Sequence, residues 1–261
     1  MKNFNRNSLR AVLSIASVAI LLTATSCSSE ISISANKDCS TDFEFSADIG
    51  NAVYSTIQAV TAGLNEINNA ASAEQNTTSK DMPLFSSAQI EKAFSTSDVK
   101  NLKVQTPTVS SITVSGTALA PDEQTSVIEK DNMKIANFIT CTKNSLTLIV
   151  APSTVQNLFA SLPEEPKSYL DLLMAPVLTG EEMSEDDYIS LIGAVYGEKM
   201  QKEFSDASVK ITLVPPEGCS LKKSALSDTK NVKTSSNKAV FTISLVEFLT
   251  LSSAKTFSIA W

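Results

Sequence analysis

Six serine–lysine pairs have the spacing of a nucleophile and its activating base. Each is a Ser-x-x-Lys motif, the arrangement found in penicillin-binding enzymes. The pairs are Ser34 with Lys37, Ser97 with Lys100, Ser220 with Lys223, Ser227 with Lys230, Ser235 with Lys238, and Ser252 with Lys255. Six copies in a serine-rich chain indicate coincidence, and the companion motifs Ser-Asp-Asn and Lys-Thr-Gly do not occur. We therefore expect no catalysis by these pairs.

Two residue types that dominate other catalytic and binding sites are almost missing. Histidine does not occur, and the only arginines, Arg6 and Arg10, lie within the first ten residues. Ser-His-Asp, Cys-His and zinc–histidine sites are excluded, because histidine is their general base or ligand. The lack of arginine removes the usual bidentate partner of phosphate and of guanine. We expect no enzyme activity, no cofactor or metal, and no binding of nucleotide or nucleic acid.

The first 26 residues have the composition of an export signal. Cations at positions 2, 6 and 10 precede an apolar region, residues 11–22, that is too short to span a membrane. The following run, Thr23-Ala24-Thr25-Ser26 before Cys27, resembles the lipobox of bacterial lipoproteins, although Ala24 and Thr25 depart from its leucine-led form. The resemblance implies cleavage before Cys27 and diacylation of its thiol, which anchors a protein to a membrane. The alternative is an ordinary secretory signal with an incidental cysteine.

Cleavage after residue 26 makes the chain more acidic. The full sequence carries a net charge of -7, and the signal contains three cations and no acid, so the mature chain carries -10. Such a charge opposes adsorption to DNA or to anionic lipid. The content of 43% apolar and 19% charged residues is typical of a globular domain. We expect residues 27–29 to form a short tether and residues 30–261 to form one domain.

Three cysteines remain beyond the proposed anchor. In an oxidising envelope compartment they allow one disulfide and one free thiol, with three choices of pair. Cys39 and Cys141 lie in predicted hairpin turns and Cys219 follows a predicted strand, so we expect all three at the same end of the sheet. We favour a disulfide between Cys141 and Cys219, with Cys39 as the alternative partner.

Two charged segments have a structural and a functional interpretation. The acids at positions 181, 182 and 185–187 supply oxygens that suit Ca²⁺, but they lack the spacing and central glycine of an EF-hand loop. Their place at a helix start favours interaction with the helix dipole. Residues 217–238 carry five lysines against two acids, which is typical of a solvated loop. The alternative for this segment is contact with an acidic partner or polymer.

Two other segments, residues 170–178 and 248–251, are unusually apolar for their positions. Core packing is the first interpretation, and a lipid-facing or ligand-lining surface is the second. In the second case the lipid-facing side chains are Leu170, Leu173, Met174, Val177 and Leu178.

The elements that position these residues alternate between hairpins and helices. Apolar residues at every second position predict strands at 31–34, 43–49, 99–105, 109–118, 133–140, 146–151, 209–214, 239–247 and 256–261. Spacings of three and four predict helices over residues 51–73 and around Ile90 and Phe94. Capping boxes predict three more helices, which begin at Ser153, Ser168 and Ser184, the last reaching about residue 204. The pattern indicates an α+β fold, an antiparallel sheet built from hairpins with four to five helices packed mainly on one face.

Several of these segments carry a family resemblance. The first hairpin (residues 30–34 and 43–45), the run 171–179, and the C-terminal segments 241–251 and 258–261 resemble envelope lipoproteins of spirochaetes. Those relatives carry Asp-Gly-Ser in the first hairpin turn, where this chain has Asp38-Cys39-Ser40. The family has no established activity. The resemblance therefore implies a location in the bacterial cell envelope, on the periplasmic or outer side of a membrane, and no mechanism.

These observations predict a non-catalytic envelope lipoprotein, anchored to a membrane through its N-terminus, that binds a partner protein or supports the envelope. The alternative is a carrier of a lipid or another apolar ligand. A large apolar cavity would favour the carrier, and a filled core would favour the partner-binding protein.

Overall fold

The fold is mixed α/β with a seven-stranded sheet and a three-stranded sheet. The computed structural model describes residues 26–59, 86–94, 99–119, 139–153, 155–156, 173–222 and 231–261. In chain order its elements are β1 (Ser26–Ala35), β2 (Thr41–Ile49), α1 (residues 51–59), α2 (Ser87–Phe94), β3 (Val99–Gln105), β4 (Ser111–Ala118), β5 (Ile139–Cys141), β6 (Ser145–Val150), α3 (Pro176–Thr179), α4 (Glu185–Tyr196), α5 (Glu198–Asp206), β7 (Ser208–Val214), β8 (Val232–Thr234), β9 (Ala239–Ser244), α6 (Leu245–Leu249) and β10 (Lys255–Ala260).

The large sheet has the strand order β3-β4-β2-β1-β7-β9-β8, and the small sheet has the order β10-β6-β5. Strand β1 runs parallel to β7, whereas the other pairs among the described strands are antiparallel. The expectation of an antiparallel sheet is thus confirmed for most pairs and wrong for the central one. That pair joins strands far apart in the chain, which leaves no local sequence signal.

The first hairpin forms as its alternating pattern predicts. Ile33 lies opposite Phe43 and Ile31 opposite Phe45, and all four side chains are buried. The residues between them, such as Asp42 and Glu44, are exposed. Because successive side chains of a strand point to opposite faces, this alternation gives the sheet one apolar and one polar face.

Buried residues of both sheets and of the helices form one hydrophobic core. Phe241 of β9 meets Phe257 of β10 edge to face, with ring centroids 5.4 Å apart. Tyr188 of α4 and Phe204 of α5 make a similar contact at 6.4 Å. All four side chains are at most 2% exposed, so truncating any one would cost about 3–5 kcal/mol.

The helix boundaries follow the capping residues in some places and depart from them in others. Ser184 caps α4 as predicted, because its Oγ accepts a hydrogen bond from the Asp187 N–H at 3.1 Å. The helix predicted to reach residue 204 is broken instead at Gly197, whose φ of 89° ends α4 and precedes α5. Helical residues begin at Pro152 rather than after Ser153, since proline suits the first helical position.

The C-terminal strand prediction also needs correction. Strand β9 ends at Ser244 instead of Glu247, because Ser244 caps α6 by accepting a hydrogen bond from the Glu247 N–H at 2.9 Å. The segment 248–251 lies largely in the core, where Phe248, Leu249 and Leu251 are buried. The lysine segment contains the short edge strand β8.

Other predicted elements are confirmed or lie outside the described residues. The predicted strands at 99–105, 109–118, 146–151, 209–214 and 256–261 and the helix at Ile90 correspond to β3, β4, β6, β7, β10 and α2. The strand residues 133–138, the helix from Ser168 and the second half of the helix 51–73 lie outside the described residues.

We predict that Gly197→Ala lowers the free energy of unfolding by about 1–3 kcal/mol. Gly197 has φ 89° and ψ 171°, a conformation almost restricted to glycine. No atom lies within 4 Å of a Cβ placed there, so the loss would come from the backbone and not from crowding. Urea unfolding measures it, and Ser190→Ala on the exposed side of α4 is the control, with a change below about 0.5 kcal/mol. If Gly197→Ala and the native chain were equally stable, the backbone conformation between α4 and α5 would not require glycine at this position.

Candidate functional site

Cys27, the proposed lipidation site, lies within the first strand. Ser26 pairs with Ile49, Ser28 pairs with Asp48, and Cys27 occupies the irregularity between these two pairs. Residues 27–29 were expected to form a tether. They belong instead to β1, because Ser28 and Ser29 also pair with β7, and Ser29 is buried. Cys27 is therefore joined to the folded domain without a spacer.

The strand register defines two ends of the large sheet. One row of aligned residues crosses five strands and forms the end that we name the Cys27 end: Ser111, Asp48, Ser28, Ser208 and Ser244. The opposite end, the Cys39 end, contains the turn 36–40 between β1 and β2 and the segment 215–222 after β7. Helix α1 begins, and helix α5 finishes, at the Cys27 end.

A carboxylate fixes the start of helix α1 at the Cys27 end. Glu203 of α5 accepts hydrogen bonds from the Ala52 N–H, at 2.9 and 3.1 Å to its two oxygens, and from the Val53 N–H at 3.4 Å. The first N–H groups of a helix have no partner within the helix, and an anion there also meets the positive end of the helix dipole. Glu203 thus acts as an N-cap supplied by another helix.

The turn at the Cys39 end holds a cysteine in an unusual backbone conformation. Cys39 has φ 64°, in the left-handed region that favours glycine. Asp38 shapes the turn, because its Oδ1 accepts hydrogen bonds from the Ser40 hydroxyl at 2.7 Å and the Ser40 N–H at 3.0 Å. These bonds from Ser40 hold the pKa of the Asp38 carboxyl below its usual value.

Cys141, at the last position of β5, has a buried thiol, which donates to the Thr142 carbonyl oxygen at 3.8 Å. Burial first, and then the nearby Cys39 thiol, raise the pKa of the Cys141 thiol to about 12. Both thiols are free, and Cys39 is half-buried against the core.

Cys219 lies at the same end, in the turn after β7. Its N–H donates to the Pro216 carbonyl oxygen at 2.9 Å, and its side chain is half-buried. The Lys222 N–H donates to the Ala260 carbonyl oxygen at 2.8 Å, and Ala260 pairs with Ser145 beside the turn that follows Cys141. Cys39 and Cys219 thus lie in the two turns at the Cys39 end, and the shared location of all three cysteines stays a prediction. The preferred pairing of Cys141 with Cys219 stays a prediction.

The polar face of the large sheet carries a shallow, open depression of about 390 Å³. Its lining includes Ser32, Ser34, Asp42, Glu44, Lys103 and Thr117. Register aligns Ser32, Glu44, Ser115 and Lys103 across four strands. The bulge in β3 at Asn101, which has φ 55°, brings Lys103 into this row. The depression therefore presents hydroxyls, carboxylates and one ammonium group, which can contact a polar surface of another molecule.

The apolar run 170–178 is described from residue 173 onward, and that part is mostly core. Leu173 and Val177 are each 2% exposed and Leu178 is half-buried, whereas Met174 is 36% exposed. The Tyr188 hydroxyl donates to the Leu173 carbonyl oxygen at 2.9 Å. Leu170 lies outside the described residues. The burial of Leu173 and Val177 therefore corrects the lipid-facing interpretation at those two positions.

The charged segments take structural roles where they are described. Glu185, Asp186 and Asp187 occupy the first turn of α4, as the dipole interpretation predicts. No group of three or more potential metal ligands occurs among the described residues. In the lysine segment, the Lys222 ammonium donates to the Trp261 carbonyl oxygen at 2.9 Å, and Lys233 is exposed on β8. Lys255, from the Ser-x-x-Lys set, is paired with Glu247.

Comparison with known proteins identifies no relative that bears on this site. No family model, no curated protein and no solved structure matches the chain.

Among the described helices, none has the length and apolar character needed to cross a membrane.

We predict that Glu203→Ala lowers the free energy of unfolding by about 1–2 kcal/mol, because the first N–H groups of α1 lose their acceptor. Chemical denaturation measures this loss. Glu198→Ala is the matched control, since Glu198 is an exposed acid on the same helix, and we expect it to change stability by less than about 0.5 kcal/mol. Equal effects of the two substitutions would mean that Glu203 does not cap α1.

Proposed function

We propose that the chain is a bacterial envelope lipoprotein without catalytic activity, anchored through Cys27, that presents its domain to a partner in the envelope or supports the envelope. One observation carries the proposal. The lipobox-like run ends at Cys27, and Cys27 is the second described residue of the central strand β1. Cleavage before Cys27 would remove the export signal and leave the strand almost complete.

The start of β1 supports this boundary in a second way. Pairing with β7 begins at Ser28, and pairing with β2 is continuous from Ser28 to Ala35. Cleavage before Cys27 would therefore retain every described pair of β1 except that of Ser26 with Ile49. Two or three acyl chains would then hold the domain durably, since each buried methylene contributes roughly 0.8 kcal/mol.

We propose that the protein is not catalytic on the basis of its amino-acid composition. The complete sequence has no histidine, and its arginines precede the proposed cleavage site. An enzyme would have to use serine, lysine, carboxylates or a free thiol. Of the lysines in the Ser-x-x-Lys pairs, Lys255 is held by Glu247 rather than by its serine.

Partner binding is favoured over transport of an apolar ligand by the character of the depression on the sheet. That depression is open, and seven of its ten lining residues are serine, threonine or charged, beside Phe43, Asn101 and Gly116, so it suits a polar partner surface. A lipid carrier needs an apolar enclosure. The apolar face of β1 and β2 is occupied by packed residues such as Ile33 and Phe45.

The placement of the helices relative to the large sheet is also part of the proposal. We infer that the helices pack mainly on one face of the large sheet. The alternation of buried and exposed residues along β2 supports one covered and one open face. Contacts of α5 with β1 and of α6 with β7 support the location of the helices on the covered face.

The anchor would orient the domain on the bilayer. With Cys27 acylated, the row from Ser111 to Ser244 would lie against the membrane, and the Cys39 end with its lysines would point away. The seven residues of β7 separate the two ends by about 20 Å, at roughly 3.3 Å per residue. The polar depression would then be open to the side of the domain.

We predict that Cys27→Ser abolishes labelling by an alkyne fatty acid and releases the protein from membranes, because the thioether-linked diacylglycerol cannot form on serine. In-gel fluorescence of labelled cells and membrane fractionation are the measurements. Cys219→Ser is the control and should remain labelled and membrane-bound. Retention of both label and membrane association by Cys27→Ser would refute the anchor.

A second prediction concerns orientation. A fluorescent unnatural amino acid at Asp206, beside the Cys27 end, should be quenched by lipid-attached quenchers several-fold more than the same residue at Asn237, in the turn between β8 and β9. Both positions are exposed. The acylated protein in vesicles provides the sample, and the unacylated Cys27→Ser protein provides the baseline. Equal quenching at the two positions would contradict the orientation.

A further inference from the structure

The polar face of the large sheet carries an acid and a lysine in the same row of aligned residues. The register places Glu44 of β2, Ser32 of β1, Thr212 of β7, Val240 of β9 and Lys233 of β8 side by side across neighbouring strands. Glu44 and Lys233 are both exposed. Because the row runs across the strands, these two charges lie at the same height between the Cys27 end and the Cys39 end.

The same two charges lie equally far from β7. The strand order β2-β1-β7-β9-β8 puts β7 midway between β2 and β8, and each side measures about 10 Å at roughly 4.8 Å per strand. A two-fold axis along β7, in front of the polar face, would therefore place Glu44 of one copy opposite Lys233 of a second copy. The same axis repeats the contact in the other direction, as in an isologous dimer.

A second pair of charges obeys the same symmetry. Phe43 and Ala239 belong to one row, through β1 and β7. Asp42 and Lys238 each precede a member of that row, so both lie one step nearer to the Cys39 end, and both are exposed. Lys238 occupies the turn between β8 and β9. The two-fold axis would bring this turn in front of Asp42.

The polar depression has more carboxylates than ammonium groups. Its charged lining residues are Asp42, Glu44 and Lys103. Within the described part of the chain, neither Glu44 nor Lys233 forms an ion pair. Lys233 of a second copy would bring the missing cation, so the face is complementary in charge to itself.

We propose that the polar face of the large sheet is a homodimer interface, in which two copies pack face to face about an axis along β7, with Glu44 against Lys233 and Asp42 against Lys238. The inference rests on the proposed function, because it names the partner as a second copy of this chain. Packed sheets lie about 10 Å apart with their strands nearly aligned. An axis parallel to the strands keeps both Cys27 ends on the same side, so both anchors can enter one membrane.

The size of the overlap predicts a weak dimer in solution and a stronger one on a membrane. The five overlapping strands are about 24 Å wide, and the seven residues of β7 are about 20 Å long. The footprint of about 500 Å² per copy is smaller than the roughly 800 Å² of a standard interface. Exposed ion pairs select the orientation more than they add affinity. Confinement by the anchor raises the effective concentration of the second copy.

Photocrosslinking in cells tests the interface on the full-length chain. A benzophenone amino acid replaces Asn231, an exposed residue whose carbonyl oxygen accepts a hydrogen bond from the Thr242 N–H at 3.0 Å. Thr242 shares a row with Ser46 of β2. We therefore expect a cross-linked dimer in the membrane fraction, and mass spectrometry should locate the link on β2 of the second copy, near Ser46. The same amino acid at Lys199, exposed on α5, is the control and should give no dimer.

Charge reversal separates this dimer from other associations. Glu44→Lys and Lys233→Glu should each lower the cross-linked fraction about fivefold or more, because each places like charges opposite one another. The double variant should restore the dimer, which excludes misfolding as the cause of the loss. Lys199→Glu is the control and should leave the cross-linked fraction unchanged.

Three results would overturn the interface: no dimer of the membrane-bound protein, a link to a different protein, or a double variant that stays monomeric. Loss of the protein from the membrane fraction with the dimer retained would contradict the proposed anchor and support the interface. The failure of the anchor and the failure of the interface are thus distinguishable.

Discussion

The pairing of β1 along both of its edges is the interaction on which the rest of the structure depends. On one side β1 forms an antiparallel hairpin with β2, and on the other it runs parallel to β7. Because β2 pairs with β4 and β4 with β3, while β7 pairs with β9 and β9 with β8, β1 joins the two halves of the sheet that the structure describes. Its inward side chain Ile33 and the facing Leu213 are at most 1% exposed. An acyl group on Cys27 would therefore be attached to the central strand of the large sheet.

Much of the local structure could be predicted from the sequence, because it depends on neighbouring residues. The alternation in the first hairpin and the serine cap at Ser184 are signals within a few residues. The same capping pattern at Ser244 lies in an apolar run that also fits a strand, so it was not recognised. Gly197 interrupts a helix whose apolar spacing continues on both sides, so the break was not predicted. The parallel pairing of β1 and β7 joins residues that are far apart in the chain, so no local pattern indicates it.

The candidate sites also differ in whether a local sequence pattern indicates them. Cys27 was identified from a local motif. The cap that Glu203 provides for α1 was not, since Ala52 and Glu203 are 151 positions apart in the chain. The run at 170–178 was ambiguous because composition alone does not distinguish a core segment from a lipid-facing one. The burial of Leu173 and Val177 decides in favour of the core at those positions.

If Cys27 is the anchor, its position in the central strand β1 places the domain directly on the bilayer. Neutron reflectometry of the acylated protein on a supported bilayer measures the thickness of any water layer between headgroups and protein. We predict protein density that begins at the headgroups, with a gap no wider than about one extended residue, roughly 3.5 Å. A hydrated gap of roughly 20 Å or more, the reach of about six extended residues, would contradict it.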